Sequence, residues 1–441
     1  MNNSRRSFIK NSSATLAGLG LMEFFPSDIY AKMRNKVGAN DKINIGLIGL
    51  KNQGFNNIRA FLKIKDVNVL AICDIDDEQI NKRKDDLAKL GANNLLVYKD
   101  YRKLLENKDI DAVLIATPDH WHCLQLTDAL SAGKHVYCEK PIANSILEAR
   151  AMVYATQKSG KVVQVNQWQR SEKHFQDAVA YVQSGKLGKI VNTKCWMYRG
   201  TDPLTPVPDS PVPAGVDYAM WLGPAQTRPF NIRRFHYDFR WFWDYAGGLM
   251  TDWGVHLLDY ALLGMEASLP KSIVGLGGKY AYPNLAEETP DTLTTLYEFD
   301  NFNLVWDSAM GIDNGSYGRD HGIAFIGNNA TLILNRGGWE VIEERQSENK
   351  VAKPLVKPSD NGLDKHAQNF IDAIRSNTPQ SVNCSVQQGA HVATVAQMGN
   401  ISYRSGQKVV WDQNASQFTD SAINREYLTS KYQNGYLLPM F

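Results

Sequence analysis

The chain has 441 residues and a formal net charge of +2, with 43% hydrophobic and 21% charged residues. This length is enough for two or three domains that bury substantial hydrophobic cores. The nearly balanced charge argues against a nucleic-acid-binding or membrane-surface protein, because both kinds rely on an excess of Lys and Arg. We therefore expect a globular protein without a nucleic-acid partner.

Residues 1–40 differ from the rest of the chain. The pair Arg5-Arg6 precedes Phe-Ile-Lys and then a weakly apolar, small-residue stretch at 14–25, which is too short for an ordinary transmembrane helix. This order resembles a twin-arginine export signal. We expect the twin-arginine translocation machinery to deliver the folded protein to the periplasm, with a membrane tether if the signal is retained after the poor cleavage site at residues 29–31. A surface arm with a chance Arg-Arg is the alternative.

The cysteines are odd in number and widely spaced, so they indicate buried thiols rather than disulfides or metal ligands. No H-x-H or H-E-x-x-H pattern includes Asp252 or His256, and we expect no metal site. The five cysteines are Cys73, Cys123, Cys138, Cys195 and Cys384.

A glycine-rich turn follows the first strongly apolar segment of the fold. The run at 43–50 is typical of a buried parallel strand, and it leads through Gly49-x-Lys51-x-x-Gly54 into a helical pattern. Strand, glycine turn and helix are the context of a dinucleotide site, in which amides at the helix start hold a pyrophosphate. Lys51 replaces the middle glycine of the usual motif. Asp74, 20 residues after Gly54, can accept the ribose 2′-hydroxyl and favours NAD over its phosphorylated form.

Strands and helices then alternate regularly to about residue 165. Strands are predicted at 67–73, 95–98, 112–116, 135–138 and 162–165, with helices at 77–90, 101–107, 120–132 and 146–159. This alternation predicts a Rossmann domain at 41–165, a doubly wound parallel sheet whose ligands bind beyond the carboxyl ends of the strands.

Three short motifs resemble the glucose-fructose oxidoreductase/inositol dehydrogenase (Gfo/Idh/MocA) family. They are Ala-Thr-Pro-Asp-His-Trp-His at 116–122, Glu-Lys-Pro at 139–141 and Asp-Trp-Gly-Val-His at 252–256. The resemblance covers about 41–412 and implies NAD(P)-dependent chemistry on sugars, polyols or related compounds.

The glycine turn and the loops at the strand ends supply the expected cofactor contacts. Glu139 and Thr117 fall where the family lines its cofactor. For His122, a contact to the cofactor and a hydrogen bond at the helix start are both open. The full set of expected cofactor-binding residues is Gly49, Asn52, Gly54, Asp74, Thr117, Trp121, His122, Glu139 and Asn166.

Lys140, Asp252 and His256 are the expected catalytic residues. A lysine at the end of a strand, fixed by the following proline, can polarise an alcohol oxygen beside a nicotinamide. Asp252 and His256 are four residues apart, so a helix would place both on one face, either as an Asp–His dyad or as a plain surface contact. The resemblance favours the dyad: His256 takes the hydroxyl proton, Lys140 hydrogen-bonds the same oxygen, Asp252 tunes His256, and the hydride passes to NAD.

The pattern of the second half predicts an α+β domain at 166–412. Strand-like segments at 272–276, 292–299, 303–308, 321–326 and 330–335 follow one another without long helices, which indicates a large, mostly antiparallel sheet. A helix at about 247–263 precedes them, and helices at 363–376 and 385–405 follow. The resemblance implies a homo-oligomer formed through this sheet. A proline-rich segment at 202–229 should be an irregular loop, and the tail at 413–441 has no assigned role.

The aromatic segment 235–245 can stack on a sugar ring, although packing is the favoured role for most of its rings. His236 and Arg240 are the candidate substrate contacts.

The favoured function is an exported NAD-dependent oxidoreductase acting on a carbohydrate. Because free NAD is scarce outside the cytoplasm, we expect the dinucleotide to be retained and regenerated through turnover. The first alternative is a glycoside hydrolase that works by transient oxidation and elimination, as in related exported enzymes of this superfamily. The second is a sugar-binding scaffold that has lost turnover.

Overall fold

The computed structural model describes residues 42–200 and 203–440. The predicted export signal lies outside these ranges. No helix in the two described ranges is long and apolar enough to cross a membrane.

The first domain is an open parallel sheet with the strand order β3-β2-β1-β4-β5-β6, as predicted for a doubly wound fold. The order reverses between β1 and β4, so a crevice opens at the carboxyl ends of these two strands. The elements are β1 (Ile43–Ile48), α1 (Asn52–Phe61), β2 (Val67–Cys73), α2 (Asp77–Lys89), β3 (Leu96–Tyr98), α3 (Tyr101–Glu106), β4 (Ala112–Ile115), α4 (His122–Ser131), β5 (His135–Cys138), α5 (Ile146–Ser159) and β6 (Val163–Val165).

The second domain contains a ten-stranded sheet in the described ranges, with the order β14-β13-β12-β11-β7-β10-β9-β8-β15-β16. All of its paired strands are antiparallel except β7 and β10. The strands are β7 (Ile190–Arg199), β8 (Ser272–Gly278), β9 (Thr292–Glu298), β10 (Asn303–Met310), β11 (His321–Gly327), β12 (Ala330–Asn335), β13 (Gly338–Glu343), β14 (Lys353–Val356), β15 (Val409–Asp412) and β16 (Gln417–Phe418).

Helices cover one face of this sheet and bury the larger hydrophobic core against it. In β9, for example, Leu293, Thr295 and Tyr297 are buried and alternate with residues on the open face. The helices are α6 (Lys173–Gln183), α7 (Tyr218–Leu222), α8 (Gly248–Asp252), α9 (Gly254–Gly264), α10 (Gly362–Ser376), α11 (Val386–Ser405) and α12 (Ser421–Tyr427).

The structure differs from the prediction at the helix that carries Asp252 and His256. The single helix expected at 247–263 is divided at Trp253 into α8 and α9. Asp252 is therefore the last residue of one helix, whereas His256 lies in the first turn of the next.

Apart from the short helix α7, the proline-rich loop is irregular, as predicted, over its described part from residue 203, and it contacts the first domain. Gly215 O accepts a hydrogen bond from Asp77 N (3.2 Å), and Asp217 N donates to Ile75 O (2.9 Å). The loop therefore closes over the connection between β2 and α2, beside Asp74.

The tail after residue 412 also packs on the first domain. Tyr432 Oη donates to Glu148 (2.9 Å), and Leu147 N donates to Leu428 O (2.9 Å). The ring of Tyr436 meets that of Trp121 edge-on at 5.4 Å.

Candidate active site

A cleft of about 610 Å³ runs along the carboxyl ends of the parallel strands and is closed on the other side by the second domain. Most of the residues predicted for cofactor, substrate or catalysis line it. They are Gly49, Asn52, Asp74, Thr117, Trp121, Glu139, Lys140, His236, Arg240, Asp252 and His256.

The glycine turn has the shape that a pyrophosphate site needs. Gly49 has φ +87°, a conformation that favours glycine. A Cβ on Gly54 would lie 2.0 Å from Gly49 O, so Gly54 allows α1 to approach the strand closely but does not line the cleft. The N-terminus of α1 has no side-chain cap, which leaves amides of its first turn for a phosphate. Lys51 has φ −76°, so a side chain is tolerated at the middle position.

Asp74 lies where an adenosine ribose would bind. Its carboxylate accepts hydrogen bonds from Leu50 N (2.8 Å) and Asp76 N (3.2 Å), one on each oxygen. Each oxygen keeps a further lone pair for a hydroxyl donor. Burial raises the pKa of Asp74 to about 6, so the group is mostly ionised at neutral pH. The turn, the helix amides and this carboxylate together fit NAD.

Asn166 lies behind the wall of the cleft and holds Glu139. Its Nδ2 donates to Glu139 Oε1, which also accepts from Asn57 Nδ2 (2.7 Å). The Tyr137 hydroxyl donates to Asn166 Oδ1 at 2.5 Å. Asn166 is buried and does not line the cleft, so it supports Glu139 in this structure. A direct contact with the cofactor stays a prediction.

His122 also supports the cleft from behind. Its Nδ1 lies 2.8 Å from Pro141 O and its Nε2 lies 2.9 Å from Thr117 O. Both ring nitrogens are therefore taken up by backbone groups of two cleft loops. Of the two roles left open for His122, the structure favours local hydrogen bonding.

Asp252 fixes Lys140 at one end of the cleft. Because this end holds the three predicted catalytic residues, Lys140, Asp252 and His256, we call it the reaction end. Lys140 Nζ donates to Asp252 Oδ1 (2.8 Å) and to the Asp252 backbone O (2.9 Å), and the two side chains are 12% and 13% exposed. Arg240 Nε donates to the same carboxylate at 3.2 Å. Although burial alone would raise it, these two cations hold the pKa of Asp252 well below its ordinary value.

The predicted hydrogen-bonded Asp252–His256 dyad is not formed. The Asp252 carboxylate is engaged by Lys140 and Arg240, and the buried His256 Nδ1 has no hydrogen-bond partner in the described part of the chain. The helix break at Trp253 and the two competing cations explain this difference. Burial, together with the charges of Lys140 and Arg336, lowers the pKa of His256 well below its ordinary value, so its imidazole is neutral.

The two predicted substrate residues lie in different parts of the cleft. Arg240 is at the reaction end, where its guanidinium pairs with Asp252. His236 Nε2 is 2.8 Å from Asp76 Oδ2, close to the connection that follows β2 and Asp74. His236 is therefore better placed near the adenosine than near the substrate.

Of the cleft residues that were not singled out from the sequence, four bear on the chemistry of the site. Asp119 is buried, and burial raises its pKa to about 8. Asp119 and Trp253 belong to two of the family motifs, Trp168 lies in the loop after β6, and Arg336 carried no sequence signal. The four are Asp119, Trp168, Trp253 and Arg336.

The cysteines are free and buried, as predicted. Among the described residues no group of three or more His, Cys, Asp or Glu is arranged to hold a metal ion.

Comparison with known proteins identifies both domains. The Gfo/Idh/MocA family model described as "oxidoreductase family, NAD-binding Rossmann fold" matches residues 43–167, and the family's C-terminal alpha/beta domain matches residues 165–276. An uncharacterized oxidoreductase of Bacillus subtilis, YrbE, is 24% identical over 380 residues, which cover 83% of this chain and 96% of the relative.

A glycosyl hydrolase family 109 protein of Shewanella baltica is 29% identical over 172 residues, 36% of this chain and 38% of the relative. The chain therefore matches less than half the length of that relative.

The chain is also similar in fold to solved structures, including the following two. Levoglucosan dehydrogenase in complex with NADH and levoglucosan has a TM-score of 0.63 at 19% identity, covering 84% of this chain and 99% of that one. An oxidoreductase domain protein from Kribbella flavida has a TM-score of 0.64 at 20% identity, covering 83% and 98%.

Proposed function

The chain belongs to the Gfo/Idh/MocA oxidoreductase family, whose NAD-binding and C-terminal domains together match residues 43–276, and on this premise we propose that it is an exported NAD-dependent dehydrogenase of a sugar or polyol. The observation that carries this proposal is the pairing of Lys140 with Asp252 beside a neutral His256 at one end of the cleft.

His256 is the proposed base. His256 lines the cleft, and its neutral imidazole can take the proton of a substrate hydroxyl. Lys140 is the proposed electrophile. Two of its three N–H donors are used by Asp252, so one remains for the substrate oxygen, where it stabilises the negative charge that develops. Bound NAD supplies the hydride acceptor.

Substitution of Lys140 tests this assignment. In Lys140→Met we expect the rate of NADH formation on a sugar and polyol panel to fall by about 100-fold or more, because one positioned acid–base group contributes about that much. The exposed Lys408→Met is the matched control and should keep wild-type activity. If Lys140→Met is as active as the wild type, the chain is better described as a sugar-binding scaffold.

We propose that NAD is retained through turnover and regenerated by a second substrate, since an exported enzyme cannot recycle released cofactor. Mass spectrometry of the purified, denatured protein should then find NAD(H) near one equivalent per chain. A protein that elutes without the dinucleotide and needs added NAD for activity would contradict retention but not the dehydrogenase itself.

A glycoside hydrolase using transient oxidation is the second candidate, because the partial relatives include glycosyl hydrolase family 109 proteins. Oxidation of a ring hydroxyl acidifies the neighbouring C–H, which permits loss of the aglycone, and later reduction restores the sugar. Release of nitrophenol from nitrophenyl glycosides without net NADH would favour this candidate. Net NADH formation with free sugars favours the dehydrogenase.

Export and self-association complete the proposal. A fusion of residues 1–40 to a reporter should be exported, and replacement of Arg5 and Arg6 by Lys should abolish this export.

The open face of the ten-stranded sheet carries exposed apolar side chains, including Leu276, Leu296 and Ile342. We assign this face to a homo-oligomer interface. Light scattering should give a mass above one chain, and Leu276→Glu should lower it.

A further inference from the structure

Arg336 occupies an unusual position at the reaction end of the cleft. It lies in the turn between β12 and β13, which is fixed by a hydrogen bond from Gly337 N to Asn335 Oδ1 (2.9 Å). Its guanidinium is 4.5 Å from the ring centroid of Trp253 and 5.2 Å from that of Trp168. The two indoles therefore hold the guanidinium in place through cation–π contacts.

The charge of Arg336 is not balanced by a protein carboxylate. Its Nε is buried without a hydrogen-bond partner, and no ion pair involves its guanidinium within the described ranges. Asp252 and Glu172 are the acidic groups that act on it electrostatically. Asp252 already pairs with Lys140 and Arg240. Glu172 keeps one buried oxygen without a hydrogen-bond partner but forms no ion pair with Arg336 within the described ranges. A desolvated guanidinium with unused donors is costly unless a ligand supplies the anion.

The surrounding charges have the same sign. Lys140, Arg240 and Arg336 line this end of the cleft. Lys140 and Arg240 pair with the Asp252 carboxylate, which acts on Arg336 only through its charge. Glu139 is turned away from them into its hydrogen bonds with Asn57 and Asn166. The reaction end is therefore cationic before any ligand binds.

We propose that the substrate carries a carboxylate on its sugar ring, as in a hexuronic acid or its glycoside, and that Arg336 binds this carboxylate. This inference rests on the proposed function and specifies its substrate class. A planar carboxylate matches the two-pronged donor geometry of a guanidinium. Arg336 lines the same cleft as Lys140 and His256, so it can fix the ring while a hydroxyl faces the base.

Matched sugars test the substrate class. We expect glucuronate or galacturonate to be oxidised with a higher kcat/KM than glucose or galactose, by about 10- to 100-fold, the range of a charge-assisted hydrogen bond. Equal turnover of acidic and neutral sugars would overturn the carboxylate inference while leaving the dehydrogenase in place. A preference for sugar phosphates over uronates would also overturn it. No turnover of any sugar would instead contradict the proposed function.

Substitution of Arg336 tests the residue. In Arg336→Gln the preference for uronates over neutral sugars should disappear, mainly through a raised KM for uronates. Arg336→Lys should recover only part of the preference, because an ammonium lacks the two-pronged geometry. Arg345→Gln removes an exposed arginine beyond the other end of β13 and should behave like the wild type. An unchanged preference in Arg336→Gln would refute the assignment.

A binding measurement separates recognition from catalysis. Uronate should raise the melting temperature of the Lys140→Met variant, whereas it should not raise that of the Lys140→Met, Arg336→Gln double variant. Equal shifts in both proteins would place the carboxylate elsewhere. The NAD(H) content and the ligand-free melting temperature of each variant report whether the fold is intact.

Discussion

Asp252 has a different role in the structure from the one that its spacing to His256 suggests. Its carboxylate accepts from Lys140 Nζ at 2.8 Å and from Arg240 Nε at 3.2 Å, so it positions two cations and acts on His256 only through its charge. Removal of that charge should therefore affect Lys140 first.

Asp252→Asn should lower kcat by about 100-fold or more, because the amide leaves Lys140 with a neutral acceptor and no longer fixes its third donor on the substrate oxygen. The melting temperature should also fall, since breaking a buried ion pair leaves uncompensated cations. Steady-state kinetics and thermal melts check both effects. Asp177→Asn, in an exposed pair with Lys173, is the control. Wild-type kcat in Asp252→Asn would exclude the positioning role.

Asp119 should make stability depend on pH. Burial raises its pKa in the folded protein to about 8, above the ordinary value of about 3.9 that applies to the unfolded chain. Between these values the folded state binds more protons, so the stability that this group contributes is complete at low pH and is lost as the pH rises through about 8. Arg240 and Lys140 oppose the shift, whereas Asp252 and Glu139 increase it.

Asp119→Asn does not titrate and should therefore gain stability relative to the wild type as the pH rises from 5 to 8. We expect the difference in melting temperature to grow by about 2–4 °C per pH unit and then level off. Melts of both proteins at several pH values check this. A difference that is constant with pH would show that Asp119 is ionised in the folded state.

The glycine turn is the element on which cofactor binding depends most directly. Gly54→Ala would place a methyl group 2.0 Å from Gly49 O, a contact that backbone atoms cannot relieve without moving α1. We expect loss of bound NAD(H) and a lower melting temperature, by several degrees or more. Gly133→Ala is the control: it has φ +78° but nothing within 4 Å, so it should cost only about 1 kcal/mol of backbone strain. Full NAD(H) content in Gly54→Ala would refute the close-packing role.

Local sequence patterns were enough to predict most helices and strands, but not the contacts between them. The parallel sheet, its glycine turn and the main antiparallel strands follow from apolar periodicity, and the structure confirms them. The division of the helix at Trp253 could not be read locally, because 247–263 carries a continuous helical pattern. β13 and β14 were also missed.

The other features of the site depend on contacts between residues that are far apart in the sequence, so they could not be predicted from local patterns. Lys140 and Asp252 are 112 residues apart, and their ion pair displaces the local Asp–His contact that spacing suggested. Arg336 joins the cleft through a turn between two strands, and such a turn has no motif to reveal it. Trp253 lies inside a recognised motif and Trp168 follows β6, yet only the fold shows that both rings face Arg336.

The two domains are fastened to each other around the cleft at several places. Lys140 in the first domain pairs with Asp252 in the second through Nζ at 2.8 Å, and the proline-rich loop bonds to the connection after β2. The tail crosses from the second domain to the first, where Tyr432 Oη donates to Glu148 (2.9 Å). These contacts join the two domains around the cleft, and we expect them to slow the release of a bound dinucleotide.

Tyr436 links the tail to Trp121, one of the predicted cofactor contacts. Its ring packs edge-on against Trp121, which lines the cleft and is held from the other side by Gly223. An edge-to-face pair contributes about 0.5–1.5 kcal/mol, so Tyr436→Ala should speed NAD dissociation about 2- to 12-fold by loosening Trp121. Tyr436→Phe keeps the ring and should restore slow release, and Leu437→Ala, at a side chain 80% exposed, should leave release unchanged. Release can be followed by the fluorescence of bound NADH. If Tyr436→Ala and Leu437→Ala release the dinucleotide at the same rate, the tail does not hold Trp121 in place, and retention must depend on the glycine turn and the proline-rich loop.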